Sequence, residues 1–337
     1  MGLEDANMRL PLVEASTSCS HDYFSPLEVK EALGRQPSFA APEWSTLRWT
    51  LFGAVAPGAL FMRWLFQQTS LDQETSRIAW SHVGACSVWA IGAMFSLLAA
   101  SGRNPGVVPS SRTLDEAPEV TSSSSRFRWR HVCVNGVVLK QRWCTTCRIW
   151  RPLRAKHCGR CDRCIFRFDH HCSWLGNCVG IGNYRSFLCL ITASTLFFGH
   201  ATVIVFRLLQ DERAAFVSAS EVQSWGEVIS DVRSSHWGKV LWMVYSSMMF
   251  ASLSVLLLYH SVIMSMNLTT NEHIRDWYLQ RNPFSSACIG NYAHFLCRPY
   301  GSELDVTINE AGPRPRDPEQ ELPDDQKPDR NRALGEP

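Results

Sequence analysis

Residues 144–187 read CTTCRIWRPLRAKHCGRCDRCIFRFDHHCSWLGNCVGIGNYRSF. This stretch holds seven of the 13 cysteines in the chain and three histidines. Two thiolates in a Cys-x2-Cys pair lie on one tight turn, which suits a tetrahedral zinc ion. The stretch therefore predicts a zinc-binding domain in the middle of the chain.

The ligand count leaves two side chains over. Two zinc sites take eight of the ten possible Cys and His ligands. If the remaining pair is one Cys and one His, they form a nucleophile and its base, with Asp169 at hand to orient the base. The count alone does not say which Cys and which His are spare.

The order of these residues resembles a known family. The spacing Cys-x2-Cys-x9-His-Cys-x2-Cys-x2-Cys-x4-Asp-His-His-Cys-x5-Cys-x4-Asn-x3-Phe is similar to the cysteine-rich domain of the DHHC protein S-acyltransferases (palmitoyltransferases). Arg151, Pro152 and Arg154 also match the segment that precedes the His-Cys pair in that family. The resemblance covers about residues 47–298.

The resemblance implies a division of the ligands. One structural zinc would take Cys144, Cys147, His157 and Cys164. The other would take Cys158, Cys161, His171 and Cys178. Cys172 would then be the nucleophile, with His170 as its base and Asp169 as the orienting residue.

The resemblance also implies a reaction and its partners. Cys172 would accept a long-chain acyl group, palmitoyl by preference, from acyl-CoA and pass it to cysteines of substrate proteins. Each zinc with three thiolates and one imidazole carries a net charge near −1, so its expected role is structural. Two other classes compete with this interpretation, a catalytically silent zinc scaffold and a RING-type ubiquitin ligase. No final Cys-x2-Cys pair follows Cys178, which disfavours the RING type.

Four apolar blocks predict a mostly α, integral membrane protein. They contain few or no charged side chains and are long enough to cross a bilayer core of ~30 Å. The cysteine-rich domain lies between the second and third blocks. The predicted transmembrane helices are 47–66, 79–100, 186–206 and 240–266.

The remaining segments complete the predicted domain organisation. A polar N-terminal tail covers 1–46, and a linker with the cysteine-rich domain covers 101–185. A luminal loop, 210–236, joins the last two spans. Short motifs occupy 267–300, and a Pro-rich, acidic tail expected to be disordered covers 301–337.

Charge predicts the orientation of the chain in the membrane. Net charge is +2, so nothing global points to nucleic acid. The 103–185 segment is strongly basic and the 210–236 loop is acidic, and the positive-inside bias places the former in the cytosol. We expect a multi-pass protein of the endomembrane system (Golgi, endoplasmic reticulum or plasma membrane) with both termini cytosolic.

Several side chains outside the central stretch carry specific expectations. Thr269-Thr270-Asn271-Glu272 resembles the family's Thr-Thr-x-Glu motif, which implies packing against the catalytic segment, and it also reads as a helix capping box. Asn291 is expected to be a buried hydrogen-bonding residue. His82, His200 and His260 are expected to hydrogen-bond between helices. Phe197 is a candidate floor for an acyl-chain cavity.

Overall fold

The structure is a computed structural model that describes most of the predicted spans and the cysteine-rich domain. It describes residues 55–71, 76–109, 129–135, 137–219, 237–278, 282–296 and 308–310. The predicted N-terminal tail lies outside these residues, as do residues 110–128 of the predicted 101–185 segment and nearly all of the C-terminal tail.

Long helices dominate the described chain. The first four are α1 (Ala56–Leu71), α2 (Ser76–Gly102), α3 (Tyr184–Ala219) and α4 (Trp237–Ser265). Two short helices follow, α5 (Thr270–Ile274) and α6 (Cys288–Leu296). Helix α3 packs against both α2 and α4. The prediction of a mostly helical protein is therefore confirmed.

Three described helices are long and apolar enough to cross a membrane: Trp80–Gly102, Tyr184–Ala214 and Trp237–Ser265. They correspond to the second, third and fourth predicted spans. The first predicted span, 47–66, begins outside the described residues. Helix α1 has 16 residues, or ~24 Å at ~1.5 Å per residue, which is short of a ~30 Å core. A fourth span therefore stays a prediction.

Helix α3 is longer than the sequence predicted. It has 36 residues and continues to Ala219, so the start of the predicted loop 210–236 is helical. The segment LLQDERAA, residues 208–215, consists largely of strong helix formers, and these extend the helix beyond its apolar part.

The cysteine-rich domain is built from short antiparallel strands. They are β1 (Trp129–Val134), β2 (Val137–Cys144), β3 (Ile149–Trp150), β4 (Lys156–Cys158), β5 (Arg163–Ile165), β6 (His170–Cys172) and β7 (Asn177–Val179). Strands β4 and β5 form one hairpin, and β6 and β7 form another. A separate sheet has the order β3-β2-β1-β8, in which β8 is Ile308–Glu310.

Strand β8 corrects one part of the disorder prediction. Ile308–Glu310 lies within the tail that was expected to be disordered, yet it pairs antiparallel with Val132–Val134 of β1. The edge of β1 supplies free backbone hydrogen-bonding groups to any extended segment, whatever its composition. Composition alone therefore misjudged these three residues.

The domain is fixed to the ends of α2 and α3 by close backbone contacts. The Asn104 side chain accepts hydrogen bonds from the N–H groups of Gly106 and Val107, at 2.9 Å each, and so builds the turn that leaves α2. Gly182 donates to the Pro105 carbonyl at 3.0 Å. A Cβ atom at Gly182 would overlap the Asn104 carbonyl oxygen, so only glycine fits there.

Candidate active site

The side chains of the β4–β5 hairpin contribute to two separate clusters of Cys and His residues, each of which could hold one metal ion; we call these the metal clusters. His157 and Cys158 are adjacent on β4, and successive side chains of a strand point to opposite faces. His157 lies opposite Cys164 on β5, and these two belong to one cluster. Cys158 points the other way and joins Cys161, from the turn, in a second cluster.

The first cluster consists of Cys144, Cys147, His157 and Cys164. The Nδ1 atom of His157 lies 3.6, 3.5 and 4.0 Å from the Sγ atoms of Cys144, Cys147 and Cys164. The other ring nitrogen, Nε2, faces the Asp162 carboxylate at 3.5 Å. A carboxylate at that position fixes the orientation of a metal-binding imidazole.

The second cluster consists of Cys158, Cys161, His171 and Cys178. Nδ1 of His171 lies 3.6, 3.4 and 3.6 Å from the Sγ atoms of Cys158, Cys161 and Cys178. His171 and Cys178 are cross-strand partners in the β6–β7 hairpin. The two hairpins are therefore joined through this cluster.

Both clusters fit a tetrahedral ion with soft ligands. With Zn–S near 2.3 Å and Zn–N near 2.05 Å, tetrahedral geometry places nitrogen and sulfur ligands about 3.6 Å apart. The measured separations of 3.4–4.0 Å lie around that value. The division of the eight side chains is the one that the resemblance implied, and both clusters could hold metal ions.

Strand β6 turns the remaining His and Cys away from the metal clusters. His171 faces the second cluster, so His170 and Cys172, one residue to each side of it, share the opposite face. Cys172 is 9% exposed and packs in an apolar cluster between α2, α3 and α4, with Leu97, Ile191 and Met264 among its members.

Asp169 orients the His170 imidazole. Its Oδ2 atom accepts a hydrogen bond from Nδ1 of His170 at 2.7 Å. Cys172 is another hydrogen-bonding neighbour of the same ring. The sequence predicted this group of three, and the structure brings them together.

The electrostatics of this group favour a strongly basic imidazole. Burial by itself would lower the pKa of His170, but the hydrogen bond with Asp169 and the neighbouring Cys172 raise this pKa to about 9. Burial by itself would raise the pKa of Asp169. The hydrogen bond from His170, together with smaller contributions, outweighs this effect and keeps the pKa of Asp169 below its usual value.

A segment about a hundred residues away completes the site. The backbone N–H of Thr270 donates to Oδ1 of Asp169 at 2.8 Å. Asp169 is 1% exposed, so its two oxygens depend on these donors for stabilisation. The predicted packing of the Thr-Thr-x-Glu motif against the segment that carries Asp169, His170 and Cys172 is thereby confirmed.

A buried ion pair holds this motif in place. Arg154 donates through Nε and Nη2 to the two carboxylate oxygens of Glu272, both at 2.7 Å. Glu272 also closes a capping box with Thr269 at the start of α5. The predicted capping box and the contact with the catalytic segment thus coexist.

The sequence did not single out Asn267, which joins three segments. Its side chain accepts from Arg154 at 3.1 Å and from Arg167 at 3.2 Å. It donates to the Phe284 carbonyl at 2.6 Å. Its φ of 50° lies in the left-handed region, which Asn adopts more readily than most residues. An Asn directly after the last predicted span was the feature of the sequence that could have indicated this turn.

Asn291 has the buried hydrogen-bonding role that was predicted. It is 1% exposed and donates to the Ser265 carbonyl at the end of α4 at 2.7 Å. The predicted interhelical histidine contacts are also present, with His82 Nδ1 at 2.8 Å from His200 Nε2.

Comparisons with known proteins agree with this geometry. The model of the DHHC palmitoyltransferase family matches residues 138–276. That range includes both metal clusters, Cys172 and the Thr270 segment. Together with the S-acyltransferase and palmitoyltransferase relatives of the chain, this match supports a DHHC-type family for the protein.

Relatives in the DHHC-type family match beyond the cysteine-rich domain. Protein S-acyltransferase 8 of Arabidopsis thaliana is 27% identical over 81% of this chain and 69% of its own length. Human palmitoyltransferase ZDHHC14 is 35% identical over 63% of this chain and 45% of its own. Rat palmitoyltransferase ZDHHC18 is 34% identical over 63% and 56%. The chain thus spans about half the length of the latter two.

Proposed function

We propose that this protein is an S-acyltransferase that carries a long-chain acyl group, with palmitoyl preferred, as a thioester on Cys172. The donor is acyl-CoA, and the acceptors are cysteines of substrate proteins. The observation that carries the proposal is the position of Cys172. It lies outside both metal clusters and beside a histidine that a buried carboxylate orients.

In the first step, His170 accepts the thiol proton of Cys172. The thiolate attacks the carbonyl carbon of the acyl-CoA thioester, and a new thioester forms on Cys172 as the bond to CoA sulfur breaks. The proton held by His170 passes to the departing CoA thiolate. Asp169 keeps the imidazole oriented throughout.

In the second step, a thiol of the substrate protein takes the place that CoA left. His170 accepts its proton, and the new thiolate attacks the Cys172 thioester. The acyl group moves to the substrate, and Cys172 regains its proton from His170. Both steps exchange one thioester for another, so positioning and proton transfer provide most of the catalysis.

Zinc is the metal that the eight-residue donor set favours, since three thiolates and one imidazole are typical of structural zinc sites. Bound zinc would supply cross-links that hold the two hairpins and thereby fix β6. Each site would carry a net charge near −1, so neither would favour a thiolate at Cys172.

The setting of the site is consistent with an acyl donor at a membrane surface. Cys172 packs against apolar side chains of three long helices, while the basic cysteine-rich domain lies outside the predicted spans. The acyl chain would lie among the helices and CoA against the basic surface, at the cytosolic face of an endomembrane. The N- and C-terminal tails would both be cytosolic.

The test is self-acylation of the purified full-length protein in detergent. Incubation with an alkyne analogue of palmitoyl-CoA should produce a label that neutral hydroxylamine removes, because hydroxylamine cleaves thioesters. The Cys172→Ser variant should retain two zinc ions and lose the label.

Two exposed thiols provide matched controls. Cys189 on α3 and Cys288 on α6 are free and exposed, so Cys189→Ser and Cys288→Ser should keep the label. Full labelling of the Cys172→Ser protein would contradict the proposal. Absence of label on folded wild-type protein would instead support a silent zinc scaffold.

A further inference from the structure

A buried polar pair lies inside the helix bundle next to the catalytic histidine. Nδ1 of His260, on α4, is 3.0 Å from the hydroxyl of Tyr184, the first residue of α3. His260 is 2% exposed and Tyr184 is 6% exposed. The steps proposed above do not use either side chain.

The surroundings of this pair are mostly apolar, with the His170 ring as a polar neighbour whose centroid lies 6.3 Å from that of His260. Phe187, Leu188 and Phe295 belong to the same cluster as Tyr184. An imidazole and a phenol are costly to bury unless they are hydrogen-bonded, and an apolar pair of similar size would fill the space more cheaply. Their presence beside the catalytic group therefore calls for a role other than packing.

Phe187 connects the pair to the catalytic histidine. Its ring lies 5.3 Å from that of His170 at an interplanar angle of 72°. It lies 5.0 Å from the ring of His260, also at 72°. Both are edge-to-face contacts within the favourable range for aromatic rings. The His170 ring is thus held by Asp169 through a hydrogen bond and by Phe187 through packing.

The pair also joins the two helices that carry the supports of the catalytic group. Helix α3 supplies Phe187, which contacts His170. Helix α4 leads within five residues of its end to Thr270, which donates to Asp169. The hydrogen bond between Tyr184 and His260 ties α3 to α4 at this depth, so it sets the relative positions of both supports.

We propose that His260 and Tyr184 are positioning residues that hold the His170 imidazole in line for proton transfer with Cys172. They act through the contact of the His260 ring with the His170 ring, through Phe187 and through the spacing of α3 and α4, and they take no part in the proton transfer itself. The inference rests on the proposed function, because it concerns the rate of acyl transfer to Cys172.

The first experiment removes only the hydroxyl of the pair. Tyr184→Phe should lower the single-turnover rate of acyl-enzyme formation at saturating palmitoyl-CoA by ~10-fold or more, since misplacing a catalytic group by about 1 Å can cost ~100-fold. The half-saturating palmitoyl-CoA concentration should stay within about twofold, because the proposed role of the pair is to position His170 and not to bind the donor.

Another hydrogen bond between the same two helices provides the control. Thr202 on α3 donates to Ser246 on α4 at 2.9 Å, farther along the bundle. Thr202→Val removes that hydrogen bond and should leave the acylation rate unchanged. If Thr202→Val slows the reaction as much as Tyr184→Phe does, the effect is general helix packing and the inference is wrong.

A second pair of variants tests the polar role directly. Asn can place a hydrogen-bonding atom near the position of His260 Nδ1, whereas Leu, of nearly equal size, cannot. His260→Asn should therefore retain at least fivefold more of the acylation rate than His260→Leu, although Leu is the better filler of an apolar site. Equal rates, or a faster Leu variant, would overturn the inference.

The His170→Ala background separates positioning from destabilisation. If Tyr184 acts through His170, Tyr184→Phe should have no further effect on the residual rate once His170 is gone. A second tenfold loss in the double variant would show an independent role. Failure of the wild-type protein to form the Cys172 thioester would reject the proposed function, whereas the outcomes above concern the pair alone.

Discussion

At the scale of single residues, one thiol differs from its neighbours because of the face of the strand on which it lies. Cys172 and His171 are adjacent, yet His171 faces three cysteines and Cys172 faces the apolar helix ends. A ligating thiolate gives its charge to the metal, whereas the Cys172 thiol stays available to a base. The alternation of side chains along the three residues of β6 therefore puts the metal-binding His171 on one face and the proposed reactive pair, His170 and Cys172, on the other.

Loss of the base should slow acylation without disturbing the metal clusters. His170→Ala should reduce the rate of acyl-enzyme formation by ~100-fold or more, as expected for removal of a general base. Zinc content should remain two per chain, because His170 points away from both clusters. A quenched time course of acyl labelling would measure the rate, and metal analysis of the same sample would measure the zinc content. A normal rate would rule out His170 as the base.

Loss of a ligand should have the opposite pattern. Cys147→Ser or His157→Ala should release zinc and unfold the cysteine-rich domain, because structural zinc contributes ~10–16 kcal/mol of binding energy to folding. Metal analysis should find two zinc ions in the wild-type protein. An active preparation with one zinc ion or none would show that the clusters have another purpose.

At the scale of elements, the short helix α5 owes its position to a buried ion pair. Arg154 is 6% exposed and Glu272 is 1% exposed, and two parallel hydrogen bonds join them. Glu272 also accepts from the Thr269 backbone at 2.9 Å. Glu272 thus fixes the first turn of α5, and this turn directs the Thr270 N–H toward Asp169.

Breaking this ion pair should cost more than replacing it. Glu272→Gln should destabilise the protein by ~3–5 kcal/mol, because it leaves the Arg154 charge buried without its partner. The double variant Arg154→Met/Glu272→Met should recover much of that loss. Thermal unfolding of the detergent-solubilised protein measures both, and equal stability of wild type and Glu272→Gln would contradict a buried pair.

Helix α3 carries the candidate floor of the acyl cavity. Phe197 is 5% exposed and faces the bundle. It packs edge-to-face on Phe61 at 6.2 Å, and a Cβ at Gly58 of α1 would lie 3.6 Å from its ring. Ten residues of helix separate it from Phe187, or ~15 Å at ~1.5 Å per residue. That distance is about half of a ~30 Å bilayer core.

Shortening this side chain should shift the preferred acyl length. Phe197→Ala should favour the eighteen-carbon over the sixteen-carbon acyl-CoA by several-fold in competition, since each added methylene that is buried contributes ~0.8 kcal/mol. Leu196 is 42% exposed and faces away from the bundle, so Leu196→Ala is the matched control. An unchanged ratio in an active Phe197→Ala protein would assign the floor to another residue.

At the scale of the whole molecule, charge should determine which side of the membrane holds the active site. The basic 103–185 segment lies between α2 and α3, and the acidic 210–236 segment covers the end of α3 and the residues that precede α4. Positive-inside bias then predicts that the cysteine-rich domain lies in the cytosol.

Engineered glycosylation acceptors should report this orientation. An acceptor near Glu221 should be modified in microsomes, because that segment is predicted to be luminal, and one near Ser123 should not. The expected difference is all or none on a mobility gel. Modification near Ser123 alone would place the active site on the other face.

Much of the molecule followed from sequence patterns that are local. The spacing from Cys144 to Phe187 indicated a zinc-binding domain, because tight turns need only a few neighbouring residues, and its resemblance to a known family implied which residues are the ligands, the nucleophile and the base. Uncharged stretches indicated three of the long helices for the same reason. The resemblance carried by that spacing was sufficient to suggest the family and the candidate residues of the site.

Only the tertiary structure decided how distant segments meet at Asp169. Neither composition nor periodicity links Thr270 to Asp169, Asn267 to Arg154 or His260 to Tyr184, since each contact joins segments at least 76 residues apart. The extension of α3 to Ala219 and the pairing of Ile308–Glu310 with β1 also depend on neighbours in space. Patterns in the local sequence indicated which residues are the candidate reacting groups. The packing of α3, α4 and α5 around these residues determined how their side chains are oriented.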